Sequence, residues 1–249
     1  MDNHFTILIP SYNNIRWIKD TLESAINQDY ENFDIIFIDD NSDDGSYEFV
    51  NENYKDVKNL KIIRNNERLY ALYNTKMGVD LSKDKSICVI LDGDDKLKDN
   101  KVLEFLNNIY SINMIYDTWM TYGSYETSNG DKPKHLRSFT YDEVVNNKFR
   151  ETEWLATHLR TFRKELFLKI KDKDLKDENG EYFEITGDLV QQFPMLEMSG
   201  YHSLYIDKVL YTYNLNNPIS DDKKRNLQYE TDLVIRKKTK YNKIKSLYD

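Results

Sequence analysis

The sequence predicts an α/β fold, a mostly parallel central sheet flanked by helices on both faces. Three observations predict it. Short β-rich runs alternate with helical patterns four times between Phe5 and Tyr110. The first, second and fourth runs each stop at a polar loop, as strands do where they reach the edge of a sheet. The chain has 249 residues, 39% of them hydrophobic and 31% charged, enough to bury a core and too apolar for a disordered chain.

Taken in order, Phe5 to Ile9 is the first strand, stopped by Pro10-Ser11-Tyr12-Asn13-Asn14. Ile15, Ile18, Leu22, Ala25 and Ile26 then lie on one helical face. Phe33 to Ile38 is a second strand, ended by Asp39-Asp40-Asn41-Ser42-Asp43-Asp44-Gly45, and Ser46 to Asn53 a short helix capped from Asp43 or Asp44. Leu60 to Ile63 is a third strand, and Leu69, Leu72, Tyr73 and Val79 mark the next helix. Ile87 to Leu91 is the fourth strand, ended by Asp92-Gly93-Asp94-Asp95. Val102, Leu103, Leu106, Ile109 and Tyr110 form a further helical face. Beyond Asn113 the alternation fades. Met114 to Glu126 reads as strand, Asp131 to Lys134 as loop, Leu166 to Gly180 as a charged, partly exposed stretch, Glu184 to Met198 as a loop entering a helix, and Tyr205 to Tyr213 as strand. No internal repeat or linker interrupts the chain.

Composition narrows the function. The formal net charge of -8 argues against a nucleic-acid partner, which calls for a basic face. It is compatible with carboxylates that hold a cation while the cation holds phosphates. Cys88 stands alone in the run Ile87-Cys88-Val89-Ile90-Leu91, which excludes an intrachain disulfide and a cysteine-rich zinc site and fits a reducing compartment. The start, MDNHFTILIPSYNN, reads as a first strand rather than a signal peptide. No apolar run approaches the roughly 20 residues of a membrane span, so a cytoplasmic, soluble protein is expected.

In parallel α/β sheets ligands bind outside the carboxyl ends of the strands, where the polar loops fall. Asp92 and Asp94, two apart on a turn tightened by Gly93, can point at one cation. Mn²⁺ or Mg²⁺ takes oxygen ligands and keeps room for phosphate oxygens. A solvated acidic turn shows the same residues, and it is the position directly after a buried strand that favours the site. The loop at 39–45 supplies Asp40 for a base or ribose. A calcium loop starting at Asp40 is rejected, because its twelfth position is Asn51 and a strand precedes it.

Together, ILIPSYNN, INQDYENFDIIFIDDNSDDGS and VILDGDD closely resemble the family 2 glycosyltransferases with the GT-A fold over about the first 125 residues. HLRTFRKELF at 158–167 and ITGDLVQQFPMLEMSG at 185–200 resemble them more loosely. The resemblance implies a nucleotide-sugar-binding half at 1–125, an acceptor-binding half at 126–221 and a tail at 222–249. It implies that Pro10, Tyr12, Asp40, Arg68, Asp92 and Gly93 bind the nucleotide, usually a UDP-sugar. Asp94, with Asp92 and Asp95, would ligate Mn²⁺ or Mg²⁺. Asp188 would be the base that takes the acceptor's proton as the anomeric centre inverts. The family often has Glu-Asp where this chain has Gly187-Asp188, so Glu184 stands second for the base, and a helix N-cap is the plain alternative for Asp188. Trp154 and His158 would face a glycan, protein or lipid-linked acceptor, with core packing the competing role. The QxxRW signature of processive synthases is absent, which points to single additions.

Two other functions stand beside this one. A catalytically silent relative would bind nucleotide sugar or glycan without transfer. An aspartyl phosphatase also ends a strand in Asp-x-Asp, but its Thr or Val at the fifth position is here Lys96. The tail carries nine Lys or Arg among Leu227, Val234, Ile235, Tyr241, Ile244 and Leu247. That pattern fits a terminal helix packed on the domain, or a peripheral contact with an anionic membrane or partner.

Overall fold

The structure, a computed structural model, describes residues 2–112, 117–220 and 223–248. Its centre is a seven-stranded sheet in the order β3-β2-β1-β4-β8-β6-β9. The strands are β1 (Phe5–Ser11), β2 (Phe33–Asp39), β3 (Leu60–Arg64), β4 (Ile87–Ile90), β6 (Met120–Gly123), β8 (Arg160–Arg163) and β9 (Ser203–Ile206). Neighbours run parallel except at β8, which is antiparallel to both β4 and β6. A small second sheet joins β5 (Lys96–Leu97), β10 (Tyr211–Tyr213) and β7 (Glu126–Thr127).

Helices cover both faces because the central strands are apolar on both. Successive β1 residues alternate between two cores. Leu8 joins Ile36, Ile38, Cys88 and Ile90 on one face, and Phe5, Ile7 and Ile9 join Ile35, Phe37, Ile87 and Val89 on the other. On the first face lie α3 (Tyr70–Leu81), through Leu72 and Val79, and α7 (Gly187–Ser199), through Leu189, Val190, Phe193 and Leu196. On the second lie α1 (Ile18–Ile26), α2 (Ser46–Tyr54) and α4 (Val102–Ser111), through Ile18, Leu22, Val50 and Leu103.

Several sequence expectations change. Pro10 and Ser11 continue β1 instead of leaving it. β4 pairs with β1 only through Leu8, so the N–H that proline lacks falls beyond the β4 ladder. Ile15 precedes α1 and is exposed rather than buried. Gly45 in left-handed conformation opens α2, and Asp44, not Asp43, orders the entry by accepting from the Ser46 N–H at 2.9 Å and the Ile15 N–H at 2.9 Å. The strand expected from Met114 to Glu126 reduces to β6, with β7 beginning at Glu126, and its first residues, Met114 to Tyr116, lie outside those described.

The stretch 166–180 is charged but buries Leu166, Phe167, Ile170 and Leu175 in the core, where α6 (Lys164–Leu168) and a 3₁₀ turn (Asp172–Leu175) hold them. The strand expected from Tyr205 to Tyr213 splits into β9 and β10, which belong to different sheets. A short α5 (Tyr141–Val145), closed by a Thr140–Glu143 capping box, bridges the irregular middle. The tail forms α8 (Arg225–Lys237), and Ile235 and Leu247 enter the core. Among the described residues no helix is long and apolar enough to cross a membrane.

Candidate active site

The site gathers where β1, β2 and β4 end. Because β8 runs against β4 with Ile90 opposite Arg160, the residues that enter β8 sit beside the acidic loop that leaves β4. The N-terminus of α7 closes the same space. A cavity of about 260 Å³ is lined there by Asp92, Asp94, Asp95, His158, Arg160, Gly187, Asp188 and Gln191, among others.

The loop leaving β4 is held as a tight turn. The Gly93 N–H donates to the Pro10 carbonyl at 3.1 Å. A Cβ on Gly93 would lie 2.6 Å from Ser11 Oγ and 2.7 Å from Asn14 Nδ2, so any side chain here must displace one of them. The three carboxylates then part. Asp95 is 1% exposed and accepts from the Tyr211 hydroxyl at 2.6 Å and the Asn214 N–H at 2.7 Å. Burial, then the charges of Asp94 and Asp92, push its carboxyl well above the usual range. Asp94 accepts from Asn217 Nδ2 at 2.7 Å. Asp92 Oδ2 accepts from the Arg160 guanidinium at 3.1 Å.

Arg160 joins the two ends of the cavity. Its side chain is 6% exposed, and while one nitrogen holds Asp92, the other lies 3.4 Å from Asp188 Oδ2. Burial works against its charge, yet Asp92 and Asp188 hold the guanidinium firmly protonated. Burial raises the Asp188 carboxyl, and Arg160 partly offsets the rise. His158 Nδ1 lies 3.2 Å from the same guanidinium. Its ring stacks on Tyr211 at 4.5 Å and meets the edge of Tyr125 at 5.5 Å. Burial, then Arg160, pushes the imidazole well below its usual range, so it is neutral.

Asp188 stands in the first turn of α7, where free N–H groups favour a carboxylate. The chain enters this helix through Thr186 at φ 57°, a left-handed conformation that a β-branched residue adopts only when its surroundings hold it there. Gly187 follows because a Cβ there would lie 2.9 Å from Leu72 Cβ of α3. That contact explains the glycine at 187.

The other expected residues form a second cluster at the ends of β1 and β2. Arg68 lies between two rings, 3.9 Å from the Tyr12 centroid and 4.6 Å from that of Tyr70. Asp40 is 2% exposed, and its carboxylate accepts from Asn65 Nδ2 at 2.9 Å and from the Leu69 and Tyr70 N–H groups at 2.8 Å each. It therefore orders the loop that carries Arg68. Trp154 lines neither cluster and packs edge-on against Phe193 at 5.3 Å. Glu184 is exposed and outside the cavity lining. Sequence reading missed Arg160, Tyr211 and Asn217. Arg160 alone had a signal, since it stands two residues after His158 in the stretch HLRTFRKELF at 158–167.

The donor set suits a hard divalent cation. Asp92, Asp95 and His158 each offer one ligand atom, all within 4.8 Å of one another. Two carboxylates and one neutral imidazole match Mn²⁺ better than Mg²⁺, which prefers oxygen throughout. Asp94 stands outside that trio in this conformation.

Residues 6–171 match the sequence model of a family described as Glycosyl transferase family 2. The glycosyltransferase GlyG of Streptococcus pneumoniae serotype 4 is 22% identical over 185 residues, covering 68% of this chain and 60% of that protein. The chain spans from 20% of the length of one curated relative to 60% of another. Among solved structures, S. aureus TarS 1-349 in complex with UDP-GlcNAc superposes with a TM-score of 0.62 at 17% identity, over 86% of this chain and 59% of that one. The mannosyltransferase PcManGT from Pyrobaculum calidifontis, in complex with GDP-Man and Mn²⁺, superposes with a TM-score of 0.63 at 16% identity, over 95% and 63%. These likenesses are of fold, and the fold is the GT-A arrangement.

Proposed function

This chain belongs to glycosyl transferase family 2, and from that premise we propose that it transfers a sugar from a UDP-sugar to a hydroxyl of a glycan, protein or lipid-linked acceptor, inverting the anomeric centre. The observation that carries this reading is the buried guanidinium of Arg160 lying between Asp92 and Asp188 across one cavity. It ties the loop suited to a diphosphate to a carboxylate suited to proton abstraction.

Asp188 accepts the proton of the acceptor hydroxyl while that oxygen bonds to the anomeric carbon. The bond from that carbon to the diphosphate oxygen breaks on the opposite face, and the nucleoside diphosphate leaves with the electron pair. Arg160 keeps Asp188 oriented and favours its ionised form. Tyr12 and Arg68 form the base-binding side, Asp40 holds the loop that presents Arg68, and the Gly93–Pro10 hydrogen bond fixes the turn beside it. Asp92, Asp95 and His158, or Asp94 after a shift of Asn217, would hold Mn²⁺, which supplies charge neutralisation for the departing diphosphate.

A thermal-shift titration with UDP and GDP, with and without Mn²⁺, tests the reading. At about 100-fold excess over Kd a ligand of the native state adds about 2.7 kcal/mol. A Mn²⁺-dependent shift with UDP that Asp94→Ala abolishes supports the proposal. A shift with GDP alone changes the donor, and no shift with any nucleotide overturns the donor site.

A further inference from the structure

Behind Asp94, on the side away from Asp188, lies a second cavity of about 220 Å³. It is lined by Trp17 and Asp20 of the α1 entry, Lys96 of β5, Ser128 after β7, and Asn214 and Asn216 beyond β10, with Asp94 as the wall shared with the catalytic cavity. The proposed function uses none of these residues except Asp94.

We propose that this cavity is a subsite for a neutral saccharide unit. Trp17 is half-buried at the rim, with the Arg16 guanidinium 5.5 Å from its ring centroid. An indole offers an apolar platform that suits the C–H face of a pyranose. Around it stand donors and acceptors in the mixture that sugar hydroxyls require. Asn214 is 8% exposed, and its Oδ1 is fixed by the Asn216 N–H at 2.9 Å. Its Nδ2 is buried with no partner among the described residues. Ser128 adds a hydroxyl, and Asp20 adds acceptors, 3.5 Å from Lys96 Nζ.

Charge selects the ligand class. The Asp20 and Asp94 carboxylates stand against the Lys96 and Arg16 cations, so no excess of positive charge favours a phosphate, a nucleotide or an acidic sugar. A neutral hydroxylated ring meets the carboxylate acceptors and the Ser128 hydroxyl without a desolvated charge. Saccharide binding here is independent of the proposed transfer. Only its use, as the seat of an acceptor sugar unit next to the donor site, rests on that reading.

Saturation-transfer NMR on the full chain tests the subsite, with the methyl glycosides of glucose, galactose, mannose and N-acetylglucosamine as probes. We expect saturation transfer to at least one glycoside, undiminished by UDP with Mn²⁺. Trp17→Phe keeps the ring platform and retains it, whereas Trp17→Ala weakens binding by about tenfold. Unchanged far-ultraviolet circular dichroism confirms that both variants fold. Absence of transfer to every glycoside, transfer that survives Trp17→Ala at full strength, or complete displacement by UDP with Mn²⁺ would each overturn the proposal. Failure of the nucleotide titration would overturn the transferase reading alone.

Discussion

Asp95 and Asp188 show how one environment gives two carboxylates different work. Both are raised by burial, but the neighbouring charges of Asp94 and Asp92 push Asp95 further up, whereas Arg160 partly offsets the rise at Asp188. A carboxyl raised in the folded state contributes stability that is complete below its unfolded value of 3.8 and lost as the pH climbs through the folded value. Asp95→Asn, measured without divalent cations, is therefore expected to raise the melting temperature at pH 7 by at least about 2–4 °C, the shift of roughly 1 kcal/mol in a chain of this size. The gain should vanish below pH 3.8. Asp188 must be ionised to act, so the acid limb of kcat/KM should lie above 3.8, its unperturbed value. Asp188→Asn should lower kcat by about 10²- to 10⁴-fold while nucleotide affinity in the thermal shift is retained.

Between elements, α3 and α7 approach through glycine. The 2.9 Å distance from a hypothetical Gly187 Cβ to Leu72 Cβ means that Gly187→Ala must push the two helices apart or displace the α7 entry. A cost of about 1–3 kcal/mol in denaturant unfolding is expected, as for overpacked cores. Leu72→Gly, which removes the Cβ that is met, should show a favourable coupling with Gly187→Ala in a double-mutant cycle. The α7 entry is where residue chemistry and helix packing meet. The contact that forbids a side chain at 187 also fixes the direction from which Asp188 enters the cavity.

At the scale of the whole molecule, the C-terminal segment is bound to the core by a buried ion pair. Arg150 donates through Nε and, at 3.0 Å, through a terminal nitrogen to Glu197 of α7, and it also donates to the Ile235 carbonyl of α8 at 2.7 Å. Glu197 in turn accepts from the Tyr241 N–H at 2.8 Å. Arg150→Met would leave a buried carboxylate with one backbone donor and should cost about 3–5 kcal/mol in urea unfolding. Replacing both partners, Arg150→Met with Glu197→Leu, should cost distinctly less. The same segment carries Gln228 to the catalytic cavity, so loosening it should weaken nucleotide binding as well as stability.

The first four strands were legible because their periods are strong. β1, β2 and β4 are short apolar runs buried on both faces, β3 is a partly buried run at the sheet edge, and each is followed by a helix whose apolar residues recur at helical spacing. The loops Asp39–Gly45 and Asp92–Asp95 fell where ligands collect, and their order carried the family. The sequence alone also named Asp92, Asp94, Asp95, His158 and Asp188, which the tertiary structure brings to one cavity. The later strands were harder, because β6 and β8 are four residues long and β8 enters the sheet between β4 and β6, out of chain order. Nothing local announces that reversal, yet it is what sets Arg160 against Asp92 and Asp188. Only the tertiary structure could decide that Asp40 orders a loop, that Trp154 packs on Phe193, and that Asn217 lies on Asp94. Those are contacts between residues far apart in the chain, and periodicity along a sequence reports which face a residue lies on, not which distant group it will meet there.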